Sequence, residues 1–481
     1  MLIIYIILSI IISRFILRSN IFNIASFSLI IYWATYSLER LSVGDDQYGF
    51  LYQTINGIKE RGIFLYAIFG FTFLLGVFTI TKINPKKFII FPTINSKNNL
   101  FFVSIFLGLL GLFCFSYTYN FDILKYFDLT LGIDPNGLVK LSRSERMSLL
   151  STAKNALPYS IFFIPSITTL IISVKKFGLK KLNNIFISFL IFLINIPILI
   201  SYIIEGDRTS IIKFLSVVFF TLLLTKSSVY ETNKNSYLIK NYRLNKKVLI
   251  NRIKILTILF SLFCLLIFIG LGRGNGWRST SRILINLSKQ YENKILPTAE
   301  FRSVNYTIDF ALARDYLSNQ KVEKMFTWDK LIFYPLPTYL YKGIFKEKKP
   351  PNIGDAIGLE NKNYVYGHKD NRKLGFGLSP IAEGWINFKY LGVSITGLIY
   401  GISIGLLQSA YNKISLDKIN LLDIFILNSL GIVPLMMRVG TAGIYNWIFS
   451  TSFVILLPIL LISIFQRKKY LRNIKTEIAK K

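Results

Sequence analysis

The sequence is short of charge, of histidine and of cysteine. Only 17% of its 481 residues are charged, and it has one histidine and two cysteines. Soluble globular chains carry about 25% charged residues, so a soluble enzyme is excluded. One histidine excludes a metal site built from several histidines, and two cysteines within apolar runs exclude a disulfide scaffold. Acidic residues are also scarce, because 25 Asp and Glu accompany 57 Lys and Arg, for a net charge of +32.

Hydrophobic residues are abundant. They make up 52% of the chain, and the mean hydropathy is +0.47. They gather in runs of about 18 to 20 residues, each long enough to cross a bilayer as a helix. The sequence therefore predicts an all-α polytopic membrane protein with about eleven transmembrane helices. The predicted spans are 2–17, 21–38, 62–81, 100–119, 156–174, 185–204, 210–225, 254–272, 390–411, 421–439 and 447–465.

Lysine and arginine are concentrated in three segments that alternating spans place on one side of the membrane. These segments are 175–181, 226–254 and the tail 467–481. Positive residues mark the cytoplasmic side of a multispanning protein. The C-terminus is therefore predicted to be cytoplasmic, and the long region 273–389 is predicted to be extracytoplasmic.

This layout divides the chain into three predicted parts. Residues 1–272 hold eight spans with short loops, 273–389 form a large extracytoplasmic loop domain, and 390–481 hold three spans and a basic cytoplasmic tail. The loop domain has 19 Lys and Arg against 11 Asp and Glu, a net charge of +8. Two readings stay open for this excess: a solvated surface, or a surface that binds an anionic ligand such as a lipid-linked diphosphate.

Three clusters with arginine lie at predicted outer ends of spans. Their members are Glu205, Asp207 and Arg208 in the first, Arg273 and Arg278 in the second, and Arg438 in the third. A guanidinium group can donate two parallel hydrogen bonds to phosphate oxygens, so these arginines are candidate diphosphate ligands. The alternative is structural: a self-neutralising turn in the first cluster, and arginines that reach for the membrane interface in the others.

A further group of candidates lies where the loop domain is expected to run straight into the span at 390–411. If this segment is helical, Glu383 and Asn387 share a face because they are four residues apart. Trp385 between them suits stacking against a sugar ring. The alternative is that Glu383 only caps or orients the start of the span. His368, in a polar stretch, is a candidate acid, base or ligand contact, and otherwise a surface residue.

The layout and two motifs make the chain resemble the O-antigen and capsular repeat-unit polymerases, also called oligosaccharide repeat unit polymerases. The motifs are Gly-Asp-Arg-Thr-Ser at 206–210 and Ser-Pro-x-x-Glu-Gly-Trp-x-Asn-Phe-x-Tyr-Leu-Gly at 379–392. Arg438 is similar to a late arginine at the outer end of the penultimate span in that family. The arrangement of spans and of the large outer loop resembles that family over nearly the whole chain.

The resemblance implies a glycosyltransferase of the bacterial plasma (inner) membrane. It would join oligosaccharide repeat units carried on undecaprenyl diphosphate at the outer face. Its expected partners are that lipid-linked oligosaccharide, membrane lipid and a chain-length regulator protein, with no nucleic acid, cofactor or metal. Arginines would stabilise the departing diphosphate.

Two choices stay open at this point. The group that takes the proton from the acceptor hydroxyl could be Glu205, Asp207 or Glu383. The alternative functions are a flippase that transports the same lipid-linked glycan, and an O-antigen ligase that transfers the finished chain to a lipid core.

Overall fold

The computed structural model describes the chain in separate ranges. They are residues 57–80, 97–119, 121, 123, 159–178, 182–205, 208–224, 299–314, 328, 338–347, 379–416, 419–441, 443–445 and 447–448. The predicted spans 2–17, 21–38 and 254–272 lie outside these residues, as does nearly all of 447–465.

The described residues are mostly helical and include no β-strand. The α-helices are α1 (Ile58–Ile80), α2 (Lys97–Thr118), α3 (Ser160–Phe177), α4 (Leu182–Glu205), α5 (Arg208–Leu223), α6 (Ala299–Arg314), α7 (Thr338–Phe345), α8 (Pro380–Tyr411) and α9 (Leu421–Ser429), and a 3-10 helix follows at Leu430–Leu435. Within the described ranges, α1 to α5 lie at the predicted runs 62–81, 100–119, 156–174, 185–204 and 210–225, and their ends agree within about four residues. The predicted all-α class is confirmed for this part of the chain.

Four of these helices contain stretches that are long and apolar enough to cross a membrane. The stretches are Glu60–Ile80, Asn99–Thr118, Asn183–Tyr202 and Pro380–Tyr411. Two more apolar helical stretches, Ser210–Leu223 and Leu421–Leu435, are shorter. The count of eleven spans stays a prediction, because several of the predicted spans lie outside the described ranges.

The predicted span 421–439 is not one α-helix. α9 ends at Ser429, and the chain continues as a 3-10 helix and turns. Pro434 explains the change, because proline has no N–H to donate to the carbonyl oxygen four residues earlier. That oxygen, on Leu430, accepts a hydrogen bond from the Ser216 hydroxyl at 3.0 Å.

The described residues belong to two compact units. The first unit contains α1, α6, α7, α8 and the described residues of 432–450. The second unit contains α2, α3, α4, α5 and α9. Each unit joins segments that are far apart in the chain. The three-part division of the sequence at 272 and 389 follows chain order and stays a prediction.

In the first unit, α1 and α8 pack backbone against backbone. α8 has glycine at 397, 401 and 405, four residues apart. A methyl group on Gly401 would overlap the carbonyl oxygen of Phe73 in α1, and one on Gly397 would lie 2.7 Å from the carbonyl oxygen of Phe69. Small residues at this spacing let membrane helices approach closely. The contact therefore depends on the absence of side chains at these glycines.

α6 belongs to the core of the first unit, although its sequence lies in the predicted loop domain. It packs against both α1 and α8. Between Val304 and Ala313, every side chain that the structure describes is at most 2% exposed. The Tyr66 hydroxyl of α1 donates a hydrogen bond of 2.7 Å to Asn305 Oδ1. This part of 273–389 is therefore held by the same helices that carry the apolar stretches.

In the second unit, polar side chains join the helices. Ser104 of α2 and Ser166 of α3 each donate to the other's backbone carbonyl oxygen, at 2.8 and 2.7 Å. Asn195 of α4 donates to Ser166 Oγ at 3.0 Å. At the end of α3, the Lys175 ammonium donates to the Leu222 carbonyl oxygen at 2.5 Å. A cation in this position satisfies carbonyl groups at the end of α5 that have no helical donor.

Candidate functional site

The candidate site is built around the start of α8. The Ser379 hydroxyl accepts the Ile381 N–H at 3.2 Å, and Pro380 occupies the first helical position. A serine cap followed by proline is a favourable helix start, because proline there breaks no helical hydrogen bond. The Ser379 N–H donates to Thr307 Oγ1 of α6 at 3.3 Å. The local sequence thus starts the helix, and Thr307 of α6 holds its N-cap residue.

α8 is broken at Phe388 and Lys389, so the segment does not run straight into the span as expected. Lys389 has φ of 51°, which is uncommon for a residue with a side chain. A methyl group on Gly384 would lie only 2.7 Å from the carbonyl oxygen of Gly392. Eight residues of straight helix would separate these glycines by about 12 Å. The first segment of α8 therefore folds back against the second, and the two glycines permit the close approach.

Glu383 lies in this first segment and is 2% exposed. Its Oε1 accepts the indole N–H of Trp328 at 3.2 Å, and its Oε2 accepts the backbone N–H of Thr441 at 2.6 Å. These donors are 55 and 58 residues away along the chain. A buried carboxylate needs such hydrogen bonds in place of water. Glu383 therefore joins three separate segments of the first unit.

The short bond to Thr441 is explained by the position of that residue. Thr441 is the first helical residue after Gly440, and the Gly443 and Ile444 N–H groups donate to the Gly440 carbonyl oxygen at 2.9 and 3.1 Å. The N–H groups of a helix's first turn have no acceptor within the helix. The carboxylate of Glu383 supplies one for Thr441.

Asn387 lies on the same face of the segment as Glu383, in the geometry that their spacing predicts. Its Nδ2 donates to the Glu383 backbone carbonyl oxygen at 2.8 Å. Its Oδ1 accepts the backbone N–H of Trp328 at 3.3 Å. Trp328 is therefore bonded twice, through its backbone to Asn387 and through its indole to Glu383.

Trp385 is 7% exposed and so does not offer an open face in this conformation. Its ring meets the Tyr390 ring edge to face, with centroids 4.9 Å apart. The Lys389 ammonium lies 5.2 Å from the centroid of the same ring. Lys389, at the break, and Tyr390, just after it, therefore both contact this tryptophan.

Arg438 belongs to the segment that meets Glu383. It is half-buried and lies three residues before Thr441 in the chain. Its backbone N–H donates to the Leu435 carbonyl oxygen at 2.8 Å. The next residue, Val439, accepts a hydrogen bond from the Tyr400 hydroxyl of α8 at 3.0 Å. The segment of Arg438 therefore contacts α8 twice, at Tyr400 through Val439 and at Glu383 through Thr441.

The other sequence candidates are described only in part. Asp207, Arg273, Arg278 and His368 lie outside the described residues. Glu205 ends α4 and Arg208 begins α5 in the second unit, and the structure describes their backbones but not their side chains. The sequence candidates that are brought together in one place are Glu383, Trp385, Asn387 and the segment of Arg438.

Three contributors to this place were missed by sequence reasoning: Trp328, Tyr400 and Thr441. Trp328 comes from a region without apolar periodicity, so no local pattern relates it to α8. Tyr400 contributes its hydroxyl and Thr441 its backbone N–H. Every tyrosine and nearly every residue carries such a group, so neither stands out in the sequence. A usable signal did exist for the α1–α8 contact, because the three glycines of α8 form a repeated small-residue motif.

The chain matches no protein-family model, no curated protein and no solved structure, so its resemblance to the repeat-unit polymerases stays a prediction.

Proposed function

We propose that this protein is a membrane glycosyltransferase that polymerises undecaprenyl-diphosphate-linked oligosaccharide repeat units into O-antigen or capsular polysaccharide. The observation that supports it most is the buried carboxylate of Glu383 beside a break in an apolar helix, within the stretch 379–392 that carries the resemblance. Ionisable groups in such helices are costly and mark functional sites by default. Asn387 adds an amide bonded to the same segment, which suits hydrogen bonding with sugars.

The proposed reaction needs no cofactor, because the donor already carries its leaving group. The acceptor hydroxyl oxygen attacks the anomeric carbon of the donor sugar, and the bond from that carbon to the diphosphate oxygen breaks. The proton passes to a carboxylate, and undecaprenyl diphosphate leaves. Glu383 is the carboxylate that the geometry favours, with Glu205 and Asp207 as the alternatives. Arg438, in the same unit as Glu383, is the proposed diphosphate ligand there. Arg208, Arg273 and Arg278 stay candidates from the sequence alone.

The proposed site faces the outside of the plasma membrane, with the C-terminus in the cytoplasm. This follows from the basic segments of the sequence. With Cys114 and Cys264 replaced by alanine, we expect a Ser318→Cys protein to react with an impermeant maleimide in intact spheroplasts. Reaction only after the spheroplasts are lysed would contradict this orientation.

A flippase for the same lipid-linked glycan is the second candidate, because the break in α8 is also a feature of transporters. Transporters commonly bind substrate at helices that are interrupted within the membrane, and α8 is interrupted at Phe388 and Lys389. The same observation thus fits an enzyme that reacts at the break and a transporter that binds there.

The glycan phenotype of a deletion strain separates the candidates. Loss of a polymerase leaves single repeat units attached to the lipid core, and this is the expected result. Loss of a flippase leaves repeat units on carrier lipid at the cytoplasmic side, and loss of a ligase leaves full-length chains on carrier lipid. Either of the last two patterns would reject the polymerase.

A further inference from the structure

The Trp328 side chain is a hydrogen-bond donor to the buried Glu383 carboxylate. Its indole N–H donates to Oε1 at 3.2 Å, and its ring lies 5.8 Å from the ring of Phe388, centroid to centroid. Phe388, at the break, is 56% exposed. The indole therefore stands between the buried carboxylate and an exposed part of α8.

The two donors to Glu383 differ in how easily they can leave. Thr441 donates a backbone N–H at 2.6 Å from the start of a helix, so its departure would require that helix to move. Trp328 donates a side-chain N–H through a longer bond of 3.2 Å. Rotation about side-chain bonds is fast and local compared with movement of a helix. The indole is the donor that can be exchanged.

The backbone of Trp328 can stay in place while its indole moves. The Trp328 backbone N–H is bonded to Asn387 Oδ1, and Asn387 is bonded in turn to the Glu383 carbonyl oxygen. The bond that holds the Trp328 backbone is therefore separate from the bond between its indole and the carboxylate. A swing of the indole would free Oε1 and leave the rest of the cluster unchanged.

We propose that the position of the Trp328 indole nitrogen is the subsite for the acceptor sugar hydroxyl. The Trp328 indole acts as a plug, which means that it occupies this subsite until the acceptor binds. The inference rests on the proposed function. An indole N–H and a sugar O–H are both single donors to a carboxylate oxygen. When the lipid-linked acceptor binds, its hydroxyl takes the place of the indole N–H on Oε1. Water is excluded from the carboxylate until then.

The first test measures access to Glu383 directly, without any glycan. Membranes are treated with dicyclohexylcarbodiimide, and the modified fraction of the peptide that contains Glu383 is measured by mass spectrometry. Trp328→Ala is expected to raise this fraction about tenfold, the scale of one lost hydrogen bond. Glu383→Gln gives the background. Trp447→Ala removes another buried indole of the same unit and is expected to leave labelling at the wild-type level.

The second test uses Trp328→Phe, which keeps a ring but removes the N–H. Its substrate is lipid-linked oligosaccharide extracted from the deletion strain. The plug predicts a KM for this substrate about tenfold lower with unchanged kcat. A higher KM would indicate that Trp328 binds the sugar instead, and would overturn the plug.

The two proposals fail in different ways. Unchanged labelling in a normally folded Trp328→Ala protein overturns the plug, whatever the protein does. If Trp328→Ala misfolds, unchanged labelling and an unchanged KM in Trp328→Phe overturn it as well. Raised labelling together with a normally polymerising Glu383→Gln protein rejects the proposed reaction at Glu383, and the acceptor subsite with it.

Discussion

Each of the two units contains a buried carboxylate whose hydrogen bonds are described, and the two are bonded differently. Asp423, in the second unit, accepts the Asn420 N–H at 3.0 Å, while its own N–H donates to Asn420 Oδ1 at 2.9 Å. This reciprocal pair caps α9 within three residues of chain. Glu383, in the first unit, is bonded to Trp328 and Thr441, more than fifty residues away. The local acid starts a helix, whereas the distant one joins segments into a site.

The units also hold their helices together differently. α1 and α8 of the first unit meet through glycines, with almost no room between backbones. α2, α3 and α4 of the second unit are joined by hydrogen bonds of Ser104, Ser166 and Asn195. Two helix backbones cannot stay in contact when a side chain is added between them. A single polar hydrogen bond between membrane helices contributes little to stability, so its loss is tolerated. The first unit should therefore be the more sensitive to substitution at its helix contact.

The largest effect is expected for Gly401→Leu. Its side chain would have to occupy the space of the Phe73 carbonyl group, so α1 and α8 would separate. We expect a loss of about 3 kcal/mol of stability, the upper end of the usual cost of overpacking, and little folded protein. Size-exclusion chromatography of detergent extracts, before and after heating, measures this.

Gly343→Leu is the matched control for that substitution. Gly343 is an exposed glycine of α7, and a methyl group there would meet no atom within 4 Å. The control protein is expected to elute like the wild type. Equal elution profiles for the two variants would show that the α1–α8 contact does not depend on glycine.

A smaller effect is expected for Asp423→Asn. The change weakens the cap of α9 and should lower the free energy of unfolding by about 1 kcal/mol. A lower melting temperature measures this loss. Polymer made per folded protein should stay at the wild-type level. A large loss of specific activity would place Asp423 in the reaction and remove the distinction between the two carboxylates.

The smallest effect is expected for Ser166→Ala. It removes one hydrogen bond donated to Ser104 and one accepted from Asn195. Polar bonds between membrane helices average about 0.6 kcal/mol each, so the melting temperature should fall only slightly. Ser394→Ala, which removes a hydroxyl that donates to the Tyr390 carbonyl oxygen within α8, is the comparison. A fall as large as that of Gly401→Leu would contradict the contrast between the units.

The sequence was sufficient wherever the cause is local. Apolar runs predicted the positions of α1, α2 and α4, because a membrane helix needs little more than length and hydrophobicity. The four-residue spacing of Glu383 and Asn387 predicted their common face. These inferences rest on helix geometry, which is independent of the rest of the fold.

The sequence was insufficient where contacts are distant. No spacing relates Trp328 or Thr441 to Glu383, since they are joined only by folding. The break at Lys389 was also missed, because it depends on the approach of Gly384 to Gly392 across a turn. Pro434 did carry a local signal, and it explains why the predicted span 421–439 is not a single α-helix.

The most direct test of the central claim compares Glu383→Gln with Asp423→Asn in the deletion strain. Polymer is measured per amount of membrane-inserted protein, so that loss of protein is separated from loss of reaction. Glu383→Gln keeps the shape of the side chain but removes its charge. We predict that it polymerises more slowly by about 10² or more, the scale of a lost acid–base group, while Asp423→Asn stays near the wild type. Wild-type polymer from a normally inserted Glu383→Gln protein would contradict the account.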